Sequence, residues 1–247
     1  MWIWEDYSPE FSYLLVADVA RGDGADFSVF HIIKLETMEV VAEYQGKPNL
    51  DMYATVLQQA GKQYGNCLLV VENVGIGISV LEKLIDLDYP NLYYSIKSTH
   101  EYIESYQGAT HSGAVPGFTT SSKTRPLIVA KLEEFIRNRL IKVYSVRFSN
   151  ELRTFIWHNG KPQAMRGYND DLTMALAIAC WIRDTALTVS TREVEYKKAC
   201  LSSIVKVDTR ISTTIPGMAN HDRKKALDEK MFQAQDDFSK YSWLIKG

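Results

Sequence analysis

The chain has 247 residues, 46% of them hydrophobic and 23% charged, which is ordinary for a globular protein and enough for a substantial core. A formal net charge of -2 gives no global pull toward nucleic acid, so any such surface must be a local patch. No stretch approaches an uninterrupted membrane span, and Met1-Trp2-Ile3-Trp4-Glu5-Asp6 lacks the basic and apolar regions of a signal peptide.

Strand signals dominate the N-terminal part. An apolar run over 12–20 ends in the turn-forming Arg21-Gly22-Asp23-Gly24. Phe27 to Leu35 and Met38 to Tyr44 are rich in β-branched and aromatic residues and break at Glu36-Thr37, which reads as three consecutive antiparallel strands. The start of the chain, running directly into these strands, looks like a domain cut from a longer polypeptide. Residues 50–63 carry Leu50, Tyr53, Ala54, Leu57, Ala60 and Gly61 at helical spacing. Cys67 to Glu72 shows no alternation and predicts a strand buried on both faces. An amphipathic helix over 78–87 and a strand from Leu92 to Ile96 follow, giving a mixed α/β order.

Residues 97–122 read as one long loop. Lys123 to Leu140 predicts a helix with Leu127, Ala130, Leu132, Phe135 and Ile136 facing inward. A short strand or turn over 141–146, a helical turn from Asn150 to Phe155 and an edge strand from Lys161 to Met165 come next. An apolar helix covers 171–187. Residues 1–189 form the expected main domain, and 190–247 an extension with two charged helices, read as regulatory or docking. Cys67, Cys180 and Cys200 lack metal-like spacing and read as reduced thiols.

Three carboxylate stations carry the chemistry. Asp18 closes Leu14-Leu15-Val16-Ala17, Glu72 closes Leu68-Leu69-Val70-Val71, and Asp170-Asp171 precede Met174-Ala175-Leu176-Ala177. A carboxylate at the end of a buried strand is costly without compensation, and a divalent cation with oxygen ligands supplies it. Plainer readings remain: Asp18 in a salt bridge with Arg21 or in a turn, Glu72 at a solvated strand end, and Asp170 or Asp171 as a helix cap. Asn169 could already cap, however, and two adjacent acids repel. Strand-end Asp, strand-end Glu and helix-start Asp in this order is the layout of an RNase H-like, two-metal nuclease, with Mg²⁺ or Mn²⁺ as the ions.

Absences narrow the field. The histidines His31, His100, His111, His158 and His221 are scattered, no Ser-His-Asp group stands out, and no phosphate-binding P-loop occurs. A local excess of cations runs through Lys123, Arg125, Lys131, Arg137, Arg139, Lys142 and Arg147, and a second cluster lies between Lys197 and Lys225. Beside catalytic acids, such a surface would track phosphates.

Three segments carry a family resemblance. The run from Ala17 to Ser28 resembles the first nuclease motif of large terminase subunits from T-even-like tailed bacteriophages. Val70-Val71-Glu72-Asn73 resembles the second motif, and Asn169 to Ala177 the third. Gly117 to Lys123, leading into the Lys131–Arg139 helix, is also similar, and the resemblance spans roughly 12–185. It implies an α/β fold of the RNase H-like, RuvC/integrase-like kind: a mixed central sheet flanked by helices. It implies an endonuclease that cuts concatemeric viral DNA during headful packaging, in the cytoplasm of an infected bacterium. Its partners would be duplex DNA, an ATPase domain of the same full-length protein, the portal and the small terminase subunit. Carried over, Asp18, Glu72 and Asp171 form the metal-binding triad, with Asp170 as the alternative third member. Asp26 becomes an accessory acid and Lys123 a phosphate contact. A structure-selective resolvase of the same fold and a catalytically silent docking module are the rival readings.

Overall fold

A computed structural model describes residues 1–21, 26–96 and 114–184. The central sheet has the order β1-β4-β3-β2-β5, built from β1 (Trp2–Ile3), β2 (Tyr13–Asp18), β3 (Ser28–Lys34), β4 (Glu39–Gly46) and β5 (Leu68–Val71). The first three predicted strands are present and antiparallel, whereas β5 runs parallel to β2. That parallel step needs a crossover, and helix α1 (Leu50–Gln63) supplies it. Asn49 caps α1, its side chain accepting the Met52 N–H at 2.8 Å.

Side-chain parity sorts the sheet into two cores. Leu14 and Val16 of β2, Val29 and Ile33 of β3, and Val70 of β5 enter one apolar cluster. That cluster also holds α3 (Thr124–Arg137), Phe148 of α4 (Val146–Thr154) and most of helix α5 over 171–184. Tyr13, Leu15, Ala17, Phe30, Ile32, Leu69 and Val71 point the other way, onto α1 and α2 (Gly77–Asp86). The sheet is therefore covered on both faces, and its strands are apolar on both sides as a buried parallel pair requires. Each fully buried Leu, Ile or Val contributes roughly 1.5–3 kcal/mol.

Several sequence expectations need correction. The 97–122 segment is not all loop: β7 (Ala114–Pro116) pairs antiparallel with β6 (Tyr94–Ile96), and Phe118 bridges to Glu72. Residues 97–113 lie outside the described chain. The inward face of α3 is Ile128, Val129, Leu132 and Phe135, so Leu132 and Phe135 of the expected stripe are buried, while Leu127, Ala130 and Ile136 are exposed. The expected stripe was partly out of phase because apolar residues at the edge of the buried arc satisfy the same spacing. The helical turn at 150–155 is a nine-residue helix starting at Val146, capped by Ser145. The strand at Lys161 belongs not to the central sheet but to a separate hairpin of β8 (Phe155–His158) and β9 (Lys161–Ala164). Cys67 and Cys180 are buried free thiols. The end of the 171–187 helix, Cys200, His100, His111, His221, the second basic cluster and all of 190–247 lie outside the described residues. Among the described residues no helix is long and apolar enough to cross a membrane.

Candidate active site

The parity that builds the core also aims the acids. Asp18 follows Leu14 and Val16 by even steps, and Glu72 follows Leu68 and Val70 likewise, so both carboxylates share the α5 face of the sheet. They stand side by side: Ala17 pairs with Val71, and the Glu72 N–H donates to the Ala17 carbonyl at 3.0 Å. Strands β2 and β5 are parallel neighbours, so their C-terminal ends meet on one rim of the sheet, where open α/β sheets bind ligands.

The Asp18 and Glu72 carboxyls are close enough to act on one another electrostatically. Burial first, then the facing Glu72 and then Asp171, push the Asp18 carboxyl well above the usual carboxylate range. Among the described residues no ion pair reaches Asp18, Glu72 or Asp171. The salt bridge of Asp18 with Arg21 is thus not formed.

Helix α5 brings the third acid. Met174 N–H donates to the Asp170 carbonyl at 2.8 Å, so Asp170 is the capping residue and Asp171 the first helical one. Their side chains divide the work. Asp170 is ion-paired with Arg125, whose Nε also donates to the Pro162 carbonyl at 2.9 Å, and Asp170 Oδ2 accepts the Ala164 N–H at 3.2 Å. Asp170 therefore ties α3 and the β8–β9 hairpin to the start of α5. Asp171 turns toward the sheet instead. Its Oδ2 accepts the Phe27 N–H at 2.9 Å and the Asn169 amide at 3.3 Å. Burial pushes the Asp171 carboxyl up, those two donors pull it down, and Asp26 and Asp170 push it up again.

Asp26 shares a cleft of about 450 Å³ with Val19 to Arg21 and Val74 to Ile76, which opens beside the two strand ends. Gly77 brings α2 against this rim, since a Cβ there would lie 1.9 Å from the Glu72 carbonyl oxygen. Gly117, at φ +82°, lets the Phe118 segment close on β5, where a Cβ would lie 2.4 Å from the Val71 oxygen.

The expected cation stripe is largely engaged within the protein. Arg125 is held by Asp170, Lys131 pairs with Glu134 and Asp184 at 2.8 and 3.0 Å, and Arg137 pairs with Glu133 at 3.2 Å. Arg147 lies 2.8 Å from the buried Glu43. Lys123 stands just before α3, and Arg139 just after it at φ +54°.

Two residues near the site escaped the sequence reading. Glu151, on α4, has its carboxyl pushed up to about 8, by burial above all, with Asp171 and Asp170 adding to it. His31 sits fully buried on β3, opposite Val16. Neither had a signal, because Glu151 lies in an ordinary polar helix and His31 in a plain strand.

The donor set suits a hard divalent cation: carboxylate oxygens only, crowded and without a counter-charge. As the side chains stand, no three His, Cys, Asp or Glu residues among the described ones already gather into a cage. Burial and the facing Glu72 and Asp171 make the charged form of Asp18 unfavourable, and a bound cation would relieve that, so the residues fit such an ion.

No family model matches the chain. Among solved structures it resembles the magnesium-bound large terminase nuclease of thermophilic phage G20c, with a TM-score of 0.56 and 19% identity over 72% of this chain and 85% of that one. The large terminase nuclease domain of Thermus phage P74-26 gives a TM-score of 0.51 and 20% identity, covering 71% and 81%. At such identities the likeness is one of backbone. The sheet order, the two helical layers and these neighbours agree that the chain has an RNase H-like α/β fold.

Proposed function

We propose that this chain is a metal-dependent DNA endonuclease of viral genome packaging, equivalent to the nuclease domain of a large terminase. The observation that carries this reading is the side-by-side placement of Asp18 and Glu72 at the ends of paired parallel strands, on the rim that α5 covers, with Asp171 as the first residue of that helix. Asp18, Glu72 and Asp171 would hold the cations, magnesium or manganese and two in number, with Asp26 as an accessory acid. Asp170 is the weaker alternative because Arg125 already neutralises it. Bound there, the metal would lower the pKa of water at the scissile phosphate and screen the charge that develops on it. The protein's own part is to fix the carboxylates and hold duplex DNA across the cleft.

DNA contacts would come from Lys123, Arg139, Lys131 and Arg137, with Arg125 acting mainly through Asp170. The exposed Arg137–Glu133 pair is weak in water, so a phosphate can replace Glu133. The motif residues from Ala17 to Ser28 support the finer attribution to T-even-like phages, and with it the ATPase, portal and small-subunit partners and a place in the cytoplasm of the infected host.

The test is supercoiled plasmid incubated with the chain and Mg²⁺ or Mn²⁺, with EDTA and Asp18→Asn as controls. Nicking and linearisation that need metal and vanish in the variant support the reading. Preference for four-way junctions over plain duplex would make the chain a resolvase instead. The absence of a ready cage among the described acids favours one further alternative, a silent docking module. DNA binding with no metal-dependent cleavage would establish it.

A further inference from the structure

Helix α5 is gripped at its first turn by two buried polar side chains from different elements. His31 Nε2 lies 3.0 Å from the Leu172 carbonyl oxygen. A carbonyl only accepts, so this ring nitrogen carries the proton. On the other side of the turn, Glu151 Oε2 accepts the Thr173 N–H at 3.1 Å and the Thr173 hydroxyl at 3.4 Å. Leu172 and Thr173 directly follow Asp171. One group thus pulls on a carbonyl of the turn and the other on an N–H that has no partner within the helix.

Neither side chain has a routine reason to be there. His31 is fully buried and packs edge-on against Phe148, with ring centroids 6.2 Å apart. Its other nitrogen, Nδ1, faces Glu43 at 3.7 Å, and Glu43 is held in turn by Arg147. Glu151 leaves Oε1 buried without a hydrogen-bond partner. Leaving a polar atom so costs about 1–3 kcal/mol. A fold that needed only apolar contact between α5, β3 and α4 would have no cause to bear it.

We propose that His31 and Glu151 are positioning residues, a two-sided clamp that fixes the first turn of α5 and so sets the Asp171 carboxylate against Asp18 and Glu72. Asp171 has its own tether to the Phe27 N–H, but that bond holds only while the turn keeps its rotation. A displacement of about 1 Å at such a carboxylate is enough to lower turnover by roughly a hundredfold. The catalytic meaning of the clamp rests on the nuclease reading, whereas its geometry does not.

The test uses amide replacements that separate position from bulk. His31→Gln carries an N–H₂ group that reaches the place of Nε2. His31→Asn keeps a polar group facing Glu43 but falls short of Leu172. Glu151→Gln retains an acceptor for Thr173, and Glu151→Ala does not. Two readouts are taken on the full chain: plasmid nicking at saturating Mn²⁺ with DNA affinity measured separately, and hydrogen exchange of the Phe27 and Thr173 amides without metal. The Asn and Ala variants are expected to lose turnover roughly tenfold or more, with DNA affinity within about twofold, and to exchange both amides roughly tenfold faster. The Gln variants are expected to stay within about threefold of the parent in both. The clamp is overturned if His31→Asn or Glu151→Ala keeps the parent's amide protection, or if each Gln variant falls as far as its partner. Parent protein that nicks nothing would sink the nuclease reading alone, and the exchange data would still decide the clamp. If a variant does not fold by circular dichroism, the Gln variant at the other position supplies the comparison.

Discussion

Asp170 and Asp171 are neighbours of the same type, and their surroundings give them opposite work. Asp170 holds Arg125 and the Ala164 N–H, whereas Asp171 faces two uncompensated acids across the sheet. Asp171→Asn is therefore expected to abolish cleavage, by roughly a hundredfold or more, while leaving the metal-free protein at least as stable. Asp170→Asn should leave measurable cleavage but lower stability by about 1–3 kcal/mol, because Arg125 loses its partner; parallel thermal melts and plasmid assays distinguish the two. Glu151 gives a pH signature. Burial pushes its carboxyl up from the ordinary 4.5 to about 8, so the folded state keeps a proton that the unfolded chain releases. Its contribution is most favourable below about pH 4.5 and is lost as pH rises through about 8. Melting temperature should thus fall between pH 5 and pH 9 (roughly) more steeply in the parent than in Glu151→Gln. At this scale the acids were legible because an Asp or Glu ending an apolar run is chemically out of place. His31 and Glu151 were not, since their importance comes from contacts 141 and 22 residues away along the chain.

Elements position the site through two glycines. Gly77 allows α2 to start against the Glu72 carbonyl, and Gly117 takes a left-handed conformation to bring Phe118 beside β5. Gly117→Ala meets both a positive φ and the Val71 oxygen, so it should cost more than the roughly 1 kcal/mol of an ordinary Gly-to-Ala change. Denaturant melts measure this loss, and cleavage should drop with it because Glu72 moves. Strands β2 to β5 were readable from composition, since burial on both faces leaves unbroken apolar runs. The β8–β9 hairpin was harder to read. Trp157 and Ile156 are exposed there, and a short two-stranded unit with one open face shows no clean alternation. The face of α3 was partly misphased because Leu127 and Ile136 sit at the margin of the buried arc.

For the whole molecule, one rule of alternation serves both stability and site. The same even steps that send Leu14, Val16 and Val70 under α5 carry Asp18 and Glu72 to that face at its rim. The acids there repel one another, so the protein without a bound cation is held below the stability its core could give. Mn²⁺ at about a hundred times its dissociation constant should raise stability by roughly 2.7 kcal/mol and visibly lift the melting temperature. Asp18→Asn should remove most of that response while raising the metal-free melt.

The bond from the Phe27 N–H to Asp171 spans 144 residues of sequence. Glu72 reaches Asp18 only after α1 has crossed over, and Asp171 joins only when α5, the last described helix, docks on the finished sheet. A ribosome-bound chain that has not yet released residue 171 has no complete acid set, however well its first strands have paired. Such long-range closure is intrinsically slow. On the proposed nuclease reading, a chain whose α5 has not yet docked should therefore be unable to cut, however complete its sheet.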